Sequence, residues 1–240
     1  MPLKGATNVR DLGGYTVRGS GATRWGQVFR SDGLHRLDDD DISQLMSAGV
    51  RHFFDLRRAE ECAREPCRVE CVSVELPSQG VFDTDVATLQ TRADGENWLF
   101  GDYLRMLEHG GPAFGRLFAA LADADGGAAL FHCAGGKDRT GLTAALLLTA
   151  LGVDREQVMD DYLLTNRFRG AEQVPHVVDL FVDHGIARPA AEAMLSAPRW
   201  AMEAALETLD TKYGGIECYL TDLAQVSDRH LDRLRARLVA

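Results

Sequence analysis

A short, wholly apolar segment, AALFHC (128–133), runs directly into AGGKDRTG (134–141) and then into a longer apolar stretch, LTAALLLTALGV (142–153). The first has the length of a strand buried on both faces and the last that of a buried helix. A Gly-rich turn separates them, so the chain carries a strand–loop–helix unit of the kind that builds α/β folds around a parallel sheet. The apolar stretch is interrupted by Thr143 and Thr149 and falls well short of the roughly 20 residues that span a bilayer. It reads as a core helix.

The flanking sequence repeats this alternation. QVFRS (27–31), RHFFDL (51–56) and VSVEL (72–76) read as strands. DDDDISQLMSAGV (38–50) reads as a helix with an acidic first turn and Gly49 near its end, and AEECAREP (59–66) as a short helix stopped by Pro66. WLFGDYLRMLEHG (98–110) and PAFGRLFAALADADG (112–126) are amphipathic helices. QTRADGENW (90–98) and HGGP (109–112) read as local breaks, and DREQVMDDYLLTN (154–166) as a helix with Asp154 and Gln157 in capping-box spacing. RWAMEAALETLDTKYGG (199–215) and SDRHLDRLRARLVA (227–240) complete the helical set. With 240 residues and no Pro/Ser-rich linker or internal repeat, the expectation is one α/β domain over 1–240, with a mostly parallel central sheet flanked by helices. Extra helices around 84–110 and 171–198 are expected as lid-like insertions.

Net charge narrows the partners. With 26 Lys+Arg against 36 Asp+Glu the chain carries −10, which disfavours nucleic acid and stable membrane insertion. Any anion the protein handles must therefore be met by a local basic pocket. The N-terminal MPLKGATNVRDLGGY has no apolar signal region, so the expected location is cytoplasmic. The 5 cysteines (Cys62, Cys67, Cys71, Cys133, Cys218) read as reduced thiols. Cys62, Cys67 and Cys71 lack the spacing of a zinc knuckle and have no fourth ligand nearby in the sequence, so no metal or cofactor is expected. His35, His52, His109, His176, His184 and His230 share no ligand spacing.

The segment 132–141 supplies the pocket. It follows a strand and opens a helix, where backbone N–H groups and the helix dipole converge on an anion. Cys133, beside those amides and near Lys137 and Arg139, is placed to react as a thiolate. The residues between Cys133 and Arg139 can wrap a phosphoryl group and return the guanidinium for bidentate contact, with Gly135 and Gly136 permitting positive φ and close backbone approach.

His-Cys-x-x-Gly-x-x-Arg-Thr-Gly resembles the signature loop of the cysteine-dependent phosphatases, and its GKDRT form is similar to the atypical bacterial tyrosine and lipid phosphatases of the tyrosine phosphatase B-like family. NVRDLGGY (8–15), VFRSDGLHRL (28–37), FDLRRAEE (54–61), DDYLLTN (160–166) and LDTKYGGIECYL (209–220) extend the resemblance over most of the chain. It implies a cysteine-phosphatase fold and metal-independent hydrolysis of phosphate monoesters through a phosphocysteine. The implied substrates are phosphotyrosine with phosphoserine or phosphothreonine, or alternatively phosphoinositide.

In that scheme Cys133 is the nucleophile and Arg139 binds the equatorial oxygens, while Ala134, Gly135, Gly136, Lys137 and Asp138 complete the phosphate cradle. Thr140 assists the departing sulfur and His132 orients the loop. Asp138 is the favoured general acid; Asp83 and Asp85 in GVFDTDVA are the alternatives. Arg10 and Asp11 are candidates for a site-supporting ion pair, and Arg30 and Arg57 stand at strand ends. Tyr162 and Asn166 match a family motif but are equally explained by a helix packed on the catalytic helix. A non-catalytic phosphate reader would normally lack Cys133 or Arg139. An arsenate reductase needs resolving thiols near Cys133, and a rhodanese-like sulfurtransferase does not need the GKDRTG continuation.

Overall fold

The computed structural model describes residues 2–19 and 21–240. Strands β1 (Arg10–Asp11), β2 (Val28–Ser31), β3 (Val50–Asp55), β4 (Val72–Ser73) and β5 (Ala128–His132) form one sheet in the order β1-β2-β5-β3-β4. Only β1 runs antiparallel, against β2; the remaining pairings are parallel. β5 therefore lies at the centre, and its C-terminal end delivers residue 133 to the edge where parallel sheets bind ligands.

The side chains of β5 alternate between two cores, as the two-residue period of a strand dictates. Ala129 and Phe131 join the larger cluster with Leu117, Leu142 and Leu146; Ala128 and Leu130 join Phe29, Leu45 and Phe53 on the opposite face. The larger core is closed by α3 (Arg92–His109), α4 (Gly111–Asp123), α5 (Asp138–Ala150), α6 (Arg155–Arg169) and α9 (Arg199–Tyr213). The other face is covered by α1 (Asp39–Ser47), which opens with a capping box between Asp38 and Asp41. α2 (Ala59–Arg64) stands beyond β3, and α10 (Ile216–Cys218) and α11 (Asp228–Leu238) complete the order after α9. No helix among the described residues is long and apolar enough to cross a membrane.

Several local expectations change. Residues 92–98 are helical, because Thr91 and Asp94 form a capping box that starts α3 six residues before Trp98. The spacing of Asp154 and Gln157 makes no box: Asp154 pairs with Arg18 at 2.5 Å, and Gln157 Oε1 accepts the Thr16 amide at 2.8 Å. VSVEL keeps ladder pairing only at Val72–Ser73, while Val74 and Leu76 stay buried in extended chain.

The two segments expected as insertions differ in kind. In α3, Leu99, Tyr103, Met106 and Leu107 belong to the main core. By contrast, α7 (Pro175–Asp183) and α8 (Arg188–Leu195) share a separate cluster with Leu89, in which Val178, Phe181, Ala190 and Met194 are buried.

Candidate active site

Cys133 is 2% exposed at the mouth of the turn between β5 and α5. Gly136 has φ +63, and a Cβ there would lie 2.6 Å from the Asp32 amide nitrogen, so the chain admits only glycine at this point. Gly135 has no such constraint. Its Cβ position meets nothing within 4 Å, leaving that side of the turn open to an approaching group.

Buried cations hold the loop from behind. Arg30, fully buried, donates from Nη2 to the Gly136 carbonyl at 2.7 Å, and Asn8 Nδ2 donates to the same oxygen at 2.9 Å. Arg30 Nη1 and Arg10 Nε both donate to the buried Asp161 carboxylate, the latter at 2.7 Å. Burial raises the Asp161 pKa, but the two guanidinium groups overcome it and hold the carboxyl below its ordinary range. The expected pair of Arg10 with Asp11 does not form. Asp11 instead accepts the Gly13 and Gly26 amides at 2.8 and 2.6 Å, because the chain turns there and leaves those N–H groups to be satisfied.

The second half of the loop is held from the periphery. Arg139 makes a bidentate pair with Glu61 at the start of α2, with N–O distances of 2.5 and 2.9 Å. Burial lowers the Arg139 pKa, but Glu61 and the neighbouring Cys133 and Asp138 charges more than reverse this, so the guanidinium stays charged. Burial likewise raises the Glu61 carboxyl, and Arg139 draws it below its usual range. The sequence reading did not select Glu61, although it closes the FDLRRAEE motif. Its partner lies 78 residues away.

Lys137 is turned from the cradle. Its ammonium donates to the Met194 and Ser196 carbonyls at 2.5 and 2.8 Å and lies 3.0 Å from Asp138 Oδ1. The C-terminal end of α8 exposes those carbonyls, and a cation answers them. Arg169, at the end of α6, lies 3.9 Å from Asp32 Oδ2, and burial lowers its pKa against the charges of Asp32 and Cys133.

Asp138 is partly exposed and accepts from Tyr103 Oη at 3.1 Å; Tyr103 and Tyr162 hydroxyls meet at 2.8 Å. Asp102, on α3 and absent from the sequence-derived set, is pushed up to about 6, first by burial, against hydrogen bonds from the Gln79 amide and Ser78 Oγ. Asp83 is solvent-facing and pairs with Arg58 at 2.7 Å, and exposed Asp85 caps Val86–Thr88. Arg57 is paired with Asp55, at 2.7 Å. His132 Nδ1 lies 3.2 Å from the Cys133 carbonyl. Thr140 Oγ1 is buried without a hydrogen-bond partner among the described residues. Tyr162 is fully buried, and Asn166 clamps Ala197 through both its amide N–H and carbonyl.

A buried thiol at a Gly-built turn, a paired guanidinium six residues later and a helix N-terminus make an arrangement able to receive an anion. The model of the tyrosine phosphatase family matches residues 1–240. The chain belongs to that family. The match covers the whole chain rather than the loop alone, and it makes the protein a phosphatase with a mixed α/β, mostly parallel architecture. A tyrosine-protein phosphatase of Nostoc commune is 32% identical over 221 residues, covering 87% of this chain and 73% of the relative. The triple specificity protein phosphatase PtpB of Mycobacterium tuberculosis is 31% identical over 278 aligned positions, covering 99% of this chain and 98% of the relative.

Proposed function

We propose that this phosphatase hydrolyses phosphotyrosine, with phosphoserine and phosphothreonine as further substrates, through a phosphocysteine on Cys133. The observation that carries the reading is the convergence of Cys133, the Gly135–Gly136 turn and the Glu61-held Arg139 on the N-terminus of α5.

Attack by the Cys133 thiolate on phosphorus forms the S–P bond and breaks the bond to the leaving oxygen. Arg139 and the amides of 134–139 bear the charge of the transferred group, and most of the acceleration comes from that positioning. Asp138 donates a proton to the departing oxygen, a step worth roughly 100 to 10,000-fold. Its contact with Tyr103 supports this role by fixing the carboxyl, whereas Asp83 is engaged by Arg58. Water then cleaves the S–P bond, and the Thr140 hydroxyl, which has no hydrogen-bond partner among the described residues, is the group assigned to the departing sulfur.

Cys133→Ser is expected to abolish turnover of a phosphotyrosine peptide while keeping the binding of a non-covalent phosphate analogue such as sulfate; retained turnover rules the mechanism out. Asp138→Asn is expected to slow poor leaving groups most, and an equal loss across leaving groups removes it as the acid. A rate panel on phosphotyrosine and phosphoserine peptides and short-chain phosphoinositides ranks the substrate classes. A preference for inositides would favour the lipid alternative.

A further inference from the structure

At the base of the catalytic turn, the fold gathers three donors from separate stretches of the chain. Cys67 and Cys71 lie in the stretch between α2 and β4, and His132 ends β5. Their ligand atoms all fall within 4.8 Å of one another. His132 Nε2 lies 3.5 Å from Cys67 Sγ and 3.8 Å from Cys71 Sγ.

These separations match the edges of a metal tetrahedron. Zinc bonds of about 2.3 Å to sulfur and about 2.0 to 2.1 Å to nitrogen put neighbouring S and N ligands about 3.5 Å apart at the tetrahedral angle. Asp55 Oδ2 stands 3.4 Å from Cys67 Sγ and 3.8 Å from His132 Nε2, in position to supply a fourth ligand. We propose that Cys67, Cys71, His132 and Asp55 form a binding site for a thiophilic divalent cation, zinc by its ligand chemistry, which braces the base of the catalytic loop.

Charge and surroundings agree with this assignment. Two thiolates and a carboxylate carry three negative charges, which a divalent ion and the Arg57 guanidinium cancel. Arg57 already lies 2.7 Å from Asp55 Oδ2 and 3.1 Å from Cys67 Sγ, and its Nε keeps Asp55 Oδ1 at 3.0 Å. His132 Nδ1 faces the Cys133 carbonyl, the outer partner that metal-bound histidines typically use to fix their tautomer. A cation on Nε2 leaves Nδ1 protonated and donating to that carbonyl, so the site tethers the nucleophile's own peptide. Cys67 and Cys71 are only half-buried, which gives an ion a path in.

Full-length protein purified under reducing conditions from zinc-supplemented medium is expected to carry one zinc per chain. After cobalt replacement it is expected to show a thiolate-to-cobalt charge-transfer band with the intense visible bands of a tetrahedral site. Cys67→Ser and Cys71→Ser are each expected to lose these bands, whereas Cys133→Ser and Cys218→Ser keep them. Stripping zinc from the unsubstituted protein with a chelator is expected to lower its melting midpoint, a reading that does not depend on any variant folding. Absence of stoichiometric zinc, bands that survive both Cys67→Ser and Cys71→Ser, bands lost with Cys133→Ser, or a Cys67–Cys71 disulfide in the reduced preparation would each overturn the proposal.

Discussion

The two halves of the catalytic loop are held in different ways. From Cys133 to Gly136 the turn rests on groups buried in the body of the fold: Arg30 and Asn8 grip the Gly136 carbonyl, and Asp161 gathers Arg30 and Arg10. From Lys137 to Arg139 it is tied to smaller outlying helices, with Arg139 on α2 and Lys137 on the carbonyls at the end of α8. On the proposed mechanism the first half is the mould for the phosphoryl group, and the second carries the cation that acts on it, tethered by an ion pair and carbonyl contacts.

The sharpest break of this contrast is Arg139→Ala, which leaves the Cys133–Gly136 half intact but removes the cation of the second half. A loss in kcat/KM on the order of 1,000-fold or more is expected, by analogy with other arginines that stabilise phosphoryl-transfer charge. An unchanged rate would mean the mould alone does the chemistry.

Asp161→Asn strikes the other half, stranding the buried Arg30 beside Arg10. Chemical denaturation should then show a loss of about 3–5 kcal/mol, the usual consequence of removing one partner of a buried pair. Loss of activity without loss of stability would contradict its assignment to the first half.

Glu61→Gln keeps the guanidinium but loosens it, with an expected fall of about tenfold in kcat/KM and, because the pair is largely buried, a loss of stability smaller than that of Asp161→Asn. A fall in kcat/KM as large as that of Arg139→Ala would show that the cation acts only when Glu61 holds it.

The smallest effect is on pH dependence. Asp102 is pushed up to about 6, chiefly by burial, so its protonated form suits the fold. Its contribution is most favourable below the unfolded carboxyl pKa of about 3.9 and is lost as pH rises through about 6. Asp161 and Glu61 behave oppositely: held below their ordinary values, they stabilise above that range, and the gain disappears as pH falls through it. Asp102→Asn should therefore flatten the stability curve between about pH 4 and 6, and an unaltered curve would show that Asp102 does not titrate there.

What was legible in the chain was whatever depends on near neighbours. The strand 128–132, the turn with its required Gly136 and the helix beginning at Asp138 are contiguous, so their order already implied a cradle at the end of a parallel strand. The acidic opening of α1 was readable for the same reason. Lys137 shows the limit. Its position in the loop argued for the phosphate, but the α8 carbonyls compete for its ammonium, and those lie 57 and 59 residues on. Glu61, Asp102 and Arg169 escaped notice because their meaning comes from partners across the fold.

The sequence by itself determined the Cys133–Arg139 turn and the strand and helix that flank it, because local spacing sets backbone geometry. Only the tertiary structure decided which charges meet: that Arg10 serves Asp161 rather than Asp11, that Glu61 holds Arg139, and that His132 faces Cys67 and Cys71. The energy of a charge or a thiol depends on what lies within a few ångströms of it in space, and chain order does not specify that.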